Sequence, residues 1–146
     1  MDRPALKIRR GRRQDFAAVM RLLAPAEEMP ADRRTLRRFR HIVADLGNDL
    51  YVAEFGQRLV GVIHASYARQ LKGPQRARIE DLAVDPECAP SEVARSLLEF
   101  MLVRARRRSC AILCCVPGDR DETALAESVG LLRGEVEYRC AFTGEA

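Results

Sequence analysis

The sequence predicts an α/β (α+β) fold in which helices cover both faces of one mixed sheet. The 146 residues match the usual size of one domain, so we expect a single domain over 1–146. Short apolar segments with strand-like patterns alternate with stretches whose apolar residues recur every three or four positions. Helices interspersed between strands favour a mixed sheet with a helical layer on each face.

Turn residues and hydrophobic periodicity divide the chain into strands and helices. Gly56-Gln57 predicts the tight turn of a β-hairpin. The continuous apolar run 110–116 is typical of a strand covered on both faces, whereas alternation over 136–142 predicts a half-exposed last strand, a candidate dimer edge. In chain order we predict a strand at 6–10, helices at 16–23 and 32–46, strands at 50–55, 58–67 and 76–85, a long helix from about 91, a strand at 110–116, a helix at 121–129 and a strand at 136–142.

Positive charge comes almost entirely from arginine. The chain carries 25 lysine and arginine residues against 21 acidic ones, and Lys7 and Lys72 are its only lysines. Such a surface attracts anions, including nucleic acids. Acidic residues separate the clusters and no aromatic residues are interleaved for base stacking, so we favour a solvated surface over nucleic-acid binding. The clusters are Arg9-Arg10 with Arg12-Arg13, Arg33-Arg34 with Arg37-Arg38, and Arg106-Arg107-Arg108.

The sequence gives no support to membrane, secretory or metal-binding classes. No apolar run approaches the ~18 residues of a membrane span, and the basic N-terminus lacks the apolar stretch of a secretory signal. The five cysteines form no C-x-x-C pair, so we expect free thiols and a cytoplasmic location. His41 and His64 do not lie at zinc-finger spacing from any cysteine, so we expect no metal.

The most specific motif is a strand followed by a loop and a long helix. The strand reads Ile79-Glu80-Asp81-Leu82-Ala83-Val84-Asp85-Pro86, and the helix carries the pair Leu97-Leu98. This combination, with the element order, resembles the GNAT N-acetyltransferase superfamily over 6–142; Gly130-Leu131 is similar to the Gly-Phe after the family's last helix. The resemblance implies a mixed, mostly antiparallel sheet and transfer of an acetyl group from acetyl-CoA to an amine of a small molecule or peptide.

The resemblance also implies where acetyl-CoA binds. In the family, main-chain groups of this strand pair with the pantetheine arm, and the following loop surrounds the pyrophosphate. First-turn N–H groups of a helix lack partners and the helix dipole favours an anion there, so the arrangement is physically sound. The implied binding residues are Leu82, Ala83 and Val84 on the strand and Ala89, Ser91, Glu92, Val93, Ala94 and Arg95 in the loop and helix.

The loop departs from the family pattern (Gln/Arg)-x-x-Gly-x-(Gly/Ala). Ala89 replaces Gln or Arg, Pro90 has no N–H to donate, and Glu92 replaces the first glycine. At ~5–8 Å and an effective dielectric of ~20–40, a carboxylate repels a phosphate charge by roughly 1–3 kcal/mol. Ser91 as N-cap and Glu92 in the first turn also predict a helix end satisfied by its own side chains. A catalytically inactive GNAT-like binding or regulatory module is therefore the alternative function.

Two neighbouring carboxylates are the candidate general bases. Glu80 is preferred by resemblance, since family members carry an acid on this strand, and Asp81 is the alternative. Successive strand residues face opposite ways, so only one reaches the cleft unless a bulge intervenes. The competing interpretation is that Glu80 pairs with Arg76 or Arg78 on an exposed strand.

Candidates for the other roles are weaker. Ala126 occupies the place where family members often carry a tyrosine that acts as the general acid. Tyr138 is therefore the candidate substitute acid, and Tyr67 is a second candidate. His64 lies on the neighbouring predicted strand and is a further candidate for a chemical role, but a histidine outside any motif is usually structural. The resemblance places Arg33, Arg34, Arg37 and Arg38 at the acceptor wall, although a solvated helix is the simpler interpretation.

Overall fold

A computed structural model of the protein describes residues 4–24, 32–117 and 120–134. The predicted order of elements is confirmed over these residues; the predicted strand 136–142, with Tyr138, lies outside them. None of the described helices combines the length and apolarity that crossing a bilayer requires. The elements are β1 (Leu6–Arg10), a 3-10 turn (Arg13–Asp15), α1 (Phe16–Leu23), α2 (Arg33–Ala44), β2 (Asn48–Phe55), β3 (Arg58–Ala68), β4 (Gln75–Val84), α3 (Pro90–Arg107), β5 (Cys110–Cys114) and α4 (Arg120–Ser128).

The strands form one mixed, mostly antiparallel sheet. Its order is β1-β2-β3-β4-β5, so each strand lies beside its neighbour in sequence. The first three pairs are antiparallel, whereas β5 runs parallel to β4 after the crossover through α3. Gly56 has φ +60° in the turn between β2 and β3, which confirms the predicted hairpin.

Helices cover both faces of the sheet, as predicted. On one face α3 packs against β2, β3 and β4; the buried side chains of its inner stripe are Val93, Ala94, Leu97, Leu98, Met101 and Ala105. On the other face α1 and α2 pack through Val19 and Phe39 against Val52 and Val62. The central strands β2, β3 and β4 therefore have apolar residues on both of their faces.

Two of the predicted boundaries differ from the structure. The second helix ends at Ala44, and its N-cap Asp32 accepts a hydrogen bond from Thr35 N at 2.8 Å. Strand β5 is shorter than predicted, and Ala111 and Ile112 are exposed within the described part of the chain. Continuous hydrophobicity predicted a strand covered on both faces, and this expectation is wrong for β5 as far as the described residues extend.

A buried carboxylate fastens the C-terminal half of α3 to the sheet. Asp49 on β2 has no exposed surface. Its Oδ2 accepts hydrogen bonds from Tyr67 Oη at 2.6 Å and Arg104 Nε at 3.0 Å. Its Oδ1 accepts from Arg10 Nη2 at 3.1 Å and Arg108 Nη1 at 3.4 Å. One carboxylate thus joins β1, β2, β3 and α3.

Gly61 lets the first turns of α3 lie directly on β3. A Cβ atom there would stand 2.7 Å from Val93 Cγ1 and 2.8 Å from Leu97 Cδ1, closer than carbon atoms approach. Gly61 pairs with Val84 across the β3–β4 ladder. The glycine therefore fixes the N-terminus of α3 close to the end of β4.

We expect Gly61→Ala to destabilise the protein by about 1–3 kcal/mol, the usual cost of an overpacked core. Urea unfolding of the purified variant measures the change. Gly134→Ala is the matched control, since a Cβ at Gly134 meets no atom within 4 Å. A Gly61→Ala protein as stable as the Gly134→Ala protein would contradict the close approach.

Candidate functional site

The sheet opens along the second half of β4. Strand β4 stays paired with β3 as far as Val84, but its pairing with β5 ends at Arg78–Cys114. The outer edge of residues 79–84 therefore has no strand partner within the described part of the chain. This is the stretch where the family resemblance places the pantetheine arm, with Leu82 and Val84 turned toward the α3 side and Ala83 toward α1 and α2.

A β-bulge places the two candidate bases on one face. His64 pairs with Asp81 but the next residue, Ala65, pairs with Ile79, so Glu80 is the extra residue on β4. Glu80 contacts Ser66 and Asp81 contacts His64, two β3 residues that share a face because they are two apart. The structure thus supplies the bulge that brings both Glu80 and Asp81 to the face of α1 and α2.

The Glu80 carboxylate has hydrogen-bonding and ionic partners but remains accessible to solvent. Ser66 Oγ donates a hydrogen bond to Glu80 Oε1 at 2.6 Å, and Arg78 Nε lies 3.8 Å from Oε2. The side chain remains 37% exposed. The alternative pairing with Arg78 is therefore present, and it leaves the carboxylate within reach of a substrate. Sequence reasoning missed Ser66, which no motif marked.

Asp81 lies at the end of a hydrogen-bonded series of side chains. Its Oδ2 is 2.9 Å from His64 Nδ1, and His64 Nε2 is 2.8 Å from Asn48 Oδ1. Asn48 Nδ2 donates in turn to Asp45 Oδ2 at 2.8 Å. His64 is only 7% exposed, and each of its ring nitrogens has a hydrogen-bonding partner. Both observations agree with a structural role for the ring. Asn48 was also missed by sequence reasoning.

The N-cap of α3 is not Ser91, contrary to our expectation. The N-cap is Ala89, in the left-handed conformation with φ +46° and ψ +57°, and it makes no side-chain capping hydrogen bond. Proline at the first helical position, Pro90, moves Ser91 and Glu92 into the first turn, where both are exposed. Ser91 is inside the helix and does not cap it.

The other predicted binding residues, in the first turns of α3, divide between the core and the surface. Val93 and Ala94 are buried against the sheet and hold the helix in place, whereas Arg95 is exposed. The helix end therefore offers N–H groups and a dipole to an anion, with Arg95 favourable and Glu92 unfavourable to it by charge.

Tyr67 is held by a buried side chain, and the candidate arginines on α2 are exposed. Tyr67 donates to the buried Asp49, and burial and this hydrogen bond raise the pKa of its hydroxyl. It pairs with Ala77 in the first half of β4, away from the opening, so Tyr67 is structural. Ala126 is buried on α4. The α2 arginines at 33, 34, 37 and 38 are exposed on its outer side.

Comparisons with known proteins agree with this geometry. A family model described as the Acetyltransferase (GNAT) family matches residues 16–131. No curated protein matches the chain with statistical significance.

Solved structures share the fold at low identity. A transcriptional regulator from Bacillus halodurans C-125 superimposes with a TM-score of 0.84 at 22% identity, covering 94% of this chain and 100% of that one. A glucosamine-6-phosphate N-acetyltransferase from Arabidopsis thaliana gives 0.81 at 16% identity, covering 94% and 99%. A ribosomal-protein-alanine N-acetyltransferase from Brucella melitensis gives 0.75 at 19% identity, covering 94% and 99%. The fold of these structures and the family match over most of the sequence lead to one conclusion: the chain belongs to the GNAT acetyltransferase family.

Proposed function

We propose that this protein is an acetyl-CoA-dependent N-acetyltransferase that acts on an amine of a small molecule or peptide. The observation that supports it is the opening of the sheet beside the β4 bulge, which sets two accessible carboxylates next to a strand edge that no other described strand pairs with. The family usually carries out acetyl transfer. The names of two of the solved structures include different acceptors, glucosamine-6-phosphate in one and a ribosomal-protein alanine in the other.

The described residues suit acetyl-CoA in part. The edge of 79–84 offers main-chain donors and acceptors to an extended arm, in the manner of an added strand. The α3 N-terminus, whose N-cap Ala89 makes no side-chain capping hydrogen bond, offers first-turn N–H groups to a phosphate. Pro90 removes one of these donors, and the charge of Glu92 opposes the ligand.

The site residues account for the acid–base step. An amine must lose a proton to attack a thioester, and Glu80 is the group that takes it, directly or through a water molecule. Main-chain groups around Leu82 and Val84 polarise the carbonyl. The thiol of coenzyme A leaves as a moderately acidic group, with a pKa of about 8.5 for a cysteine-like sulfur, so a general acid is not essential.

The first experiment is binding of acetyl-CoA by calorimetry, followed by release of free thiol with a panel of small-molecule and peptide amines. We expect micromolar affinity and turnover with at least one amine. At a hundredfold excess over Kd, acetyl-CoA adds ~2.7 kcal/mol of stability, which thermal unfolding detects independently. No binding at millimolar acetyl-CoA would instead favour the non-catalytic binding module that Glu92 and Pro90 motivate.

We expect Glu92→Gln to tighten acetyl-CoA binding by about 3- to 10-fold, because it removes an exposed negative charge from the helix end. Calorimetry at low and moderate salt measures the effect, which screening should reduce. Glu99→Gln on the exposed side of α3 is the matched control, lying two turns further along. Equal affinities for the two variants would mean that Glu92 does not face the ligand.

A further inference from the structure

His64 has acceptor atoms opposite both of its ring nitrogens. Asn48 can face Nε2 only with its oxygen, because its NH₂ group donates to the Asp45 carboxylate. Turning the amide over would instead bring the Asn48 oxygen to 2.8 Å from Asp45 Oδ2, two acceptors with no hydrogen between them. Nε2 therefore carries a hydrogen and donates to Asn48.

The same reasoning places a proton between His64 and Asp81. With its hydrogen on Nε2, a neutral imidazole has a bare lone pair on Nδ1, which would face the lone pairs of Asp81 Oδ2 at 2.9 Å. The contact is a hydrogen bond only if a proton lies between the two atoms. His64 is then doubly protonated beside an anionic Asp81, a charge-assisted pair.

We propose that His64 is a positioning residue for acetyl transfer: its Nδ1 proton holds Asp81, and thereby the bulge that turns Glu80 toward the open side of β4. This inference rests on the proposed function and deepens it. Asn48 on β2, itself held by Asp45, contacts the ring at Nε2, and Asp81 on β4 accepts the hydrogen bond from Nδ1. The chain of contacts begins at Asp45, the C-cap of α2, and crosses three strands.

The charged groups around the ring are acidic. Asp81 contacts it directly, Glu80 lies beside it at the bulge, and Asp45 lies behind Asn48. Among the described residues no arginine or lysine makes a hydrogen bond or ion pair with His64. Arg78 lies 3.8 Å from Glu80, and His41 acts electrostatically on Asp45.

The test combines histidine NMR with kinetics. The chain has two histidines, and the second, His41, is exposed, so His41→Gln leaves one imidazole to observe. With ¹⁵N-labelled histidine we expect hydrogens on both His64 nitrogens at neutral pH. Asp81→Asn, at a side chain 46% exposed, should remove the Nδ1 hydrogen without unfolding the protein. A single N–H on His64 in the unmodified site would overturn the proposal.

Kinetic measurements then distinguish a positioning role of His64 from a role in packing alone. We expect His64→Gln and Asp81→Asn each to lower kcat at least about tenfold, with KM for acetyl-CoA changed less than about threefold. Combining the two substitutions should cost no more than the larger single effect. Unchanged kcat in Asp81→Asn would overturn the positioning role.

Failure of the proposed function gives a different pattern. A parent protein that turns over no amine fails before any His64 variant is assayed. In that case a bulge relaxed by Asp81→Asn would still appear in backbone NMR shifts of 79–82, and an unmoved backbone would overturn the structural part of the inference.

Discussion

Replacing Asp49 with alanine is expected to lower the free energy of unfolding by about 3–5 kcal/mol, as is typical when one partner of a buried ionic network is removed. The substitution leaves Arg10, Arg104 and Arg108 facing one another and takes the acceptor from Tyr67. Urea unfolding at pH 7 measures the change. Glu87→Gln is the control, since Glu87 is 83% exposed and lies 3.9 Å from its partner Arg58; it should leave stability unchanged.

The effect of this substitution should also depend on pH. Burial alone would raise the pKa of Asp49, but hydrogen bonds from Arg104 and Tyr67 and the nearby arginine charges outweigh it and hold the pKa below its ordinary value of 3.8. A lowered carboxylate pKa contributes stability above the unfolded value and loses it as the pH falls through the folded value. Asp49→Ala should therefore cost less at pH 3 than at pH 7. An equal cost at both values would contradict an ionised Asp49.

Glu80→Gln is expected to lower kcat by about 100-fold or more, because general-base groups commonly contribute factors of 10²–10⁴. The substitution keeps the size of the side chain and the acceptor for Ser66 Oγ, so KM for acetyl-CoA should change little. Steady-state kinetics with the best amine from the panel, over a range of pH, measures both quantities.

Two control variants are needed to interpret the effect of Glu80→Gln on kcat. Glu99→Gln, exposed on α3, should retain full activity. Ser66→Ala removes only the hydrogen bond to Glu80 and should have a smaller effect than Glu80→Gln. A Glu80→Gln enzyme with kcat within twofold of the parent, beside an inactive Asp81→Asn enzyme, would transfer the role of base to Asp81.

Much of the fold could be predicted because hydrophobic periodicity depends directly on which face of an element is buried. The inner stripe of α3, from Val93 to Ala105, repeats every three or four residues and is buried as expected. The error at β5 has a physical cause. A continuous apolar run shows only that its residues are apolar, and does not show that other elements pack over both faces of the strand. Ile112 is 54% exposed within the described residues.

The site was harder to predict because it depends on departures from regular geometry. Alternation along a strand assigns Glu80 and Asp81 to opposite faces, and only the pairing of Ala65 with Ile79 reveals the bulge. Likewise, Ser91 has the composition of an N-cap, but Ala89 takes that position in a left-handed conformation that non-glycine residues seldom adopt. Asn48 and His64 are far apart in sequence, so no local pattern joins them.

Because β4 separates from β5, hydrogen exchange of the β4 backbone amides should show whether a ligand occupies the site. Alternate amides of 79–84 point away from β3, with no strand beside them in the described part of the chain, and amides of this kind exchange hydrogen with solvent readily. Amides of 75–78, enclosed between two strands, should exchange slowly. An extended ligand that pairs with the edge would slow the first group toward the second, so deuterium uptake along one strand distinguishes the empty site from the occupied one.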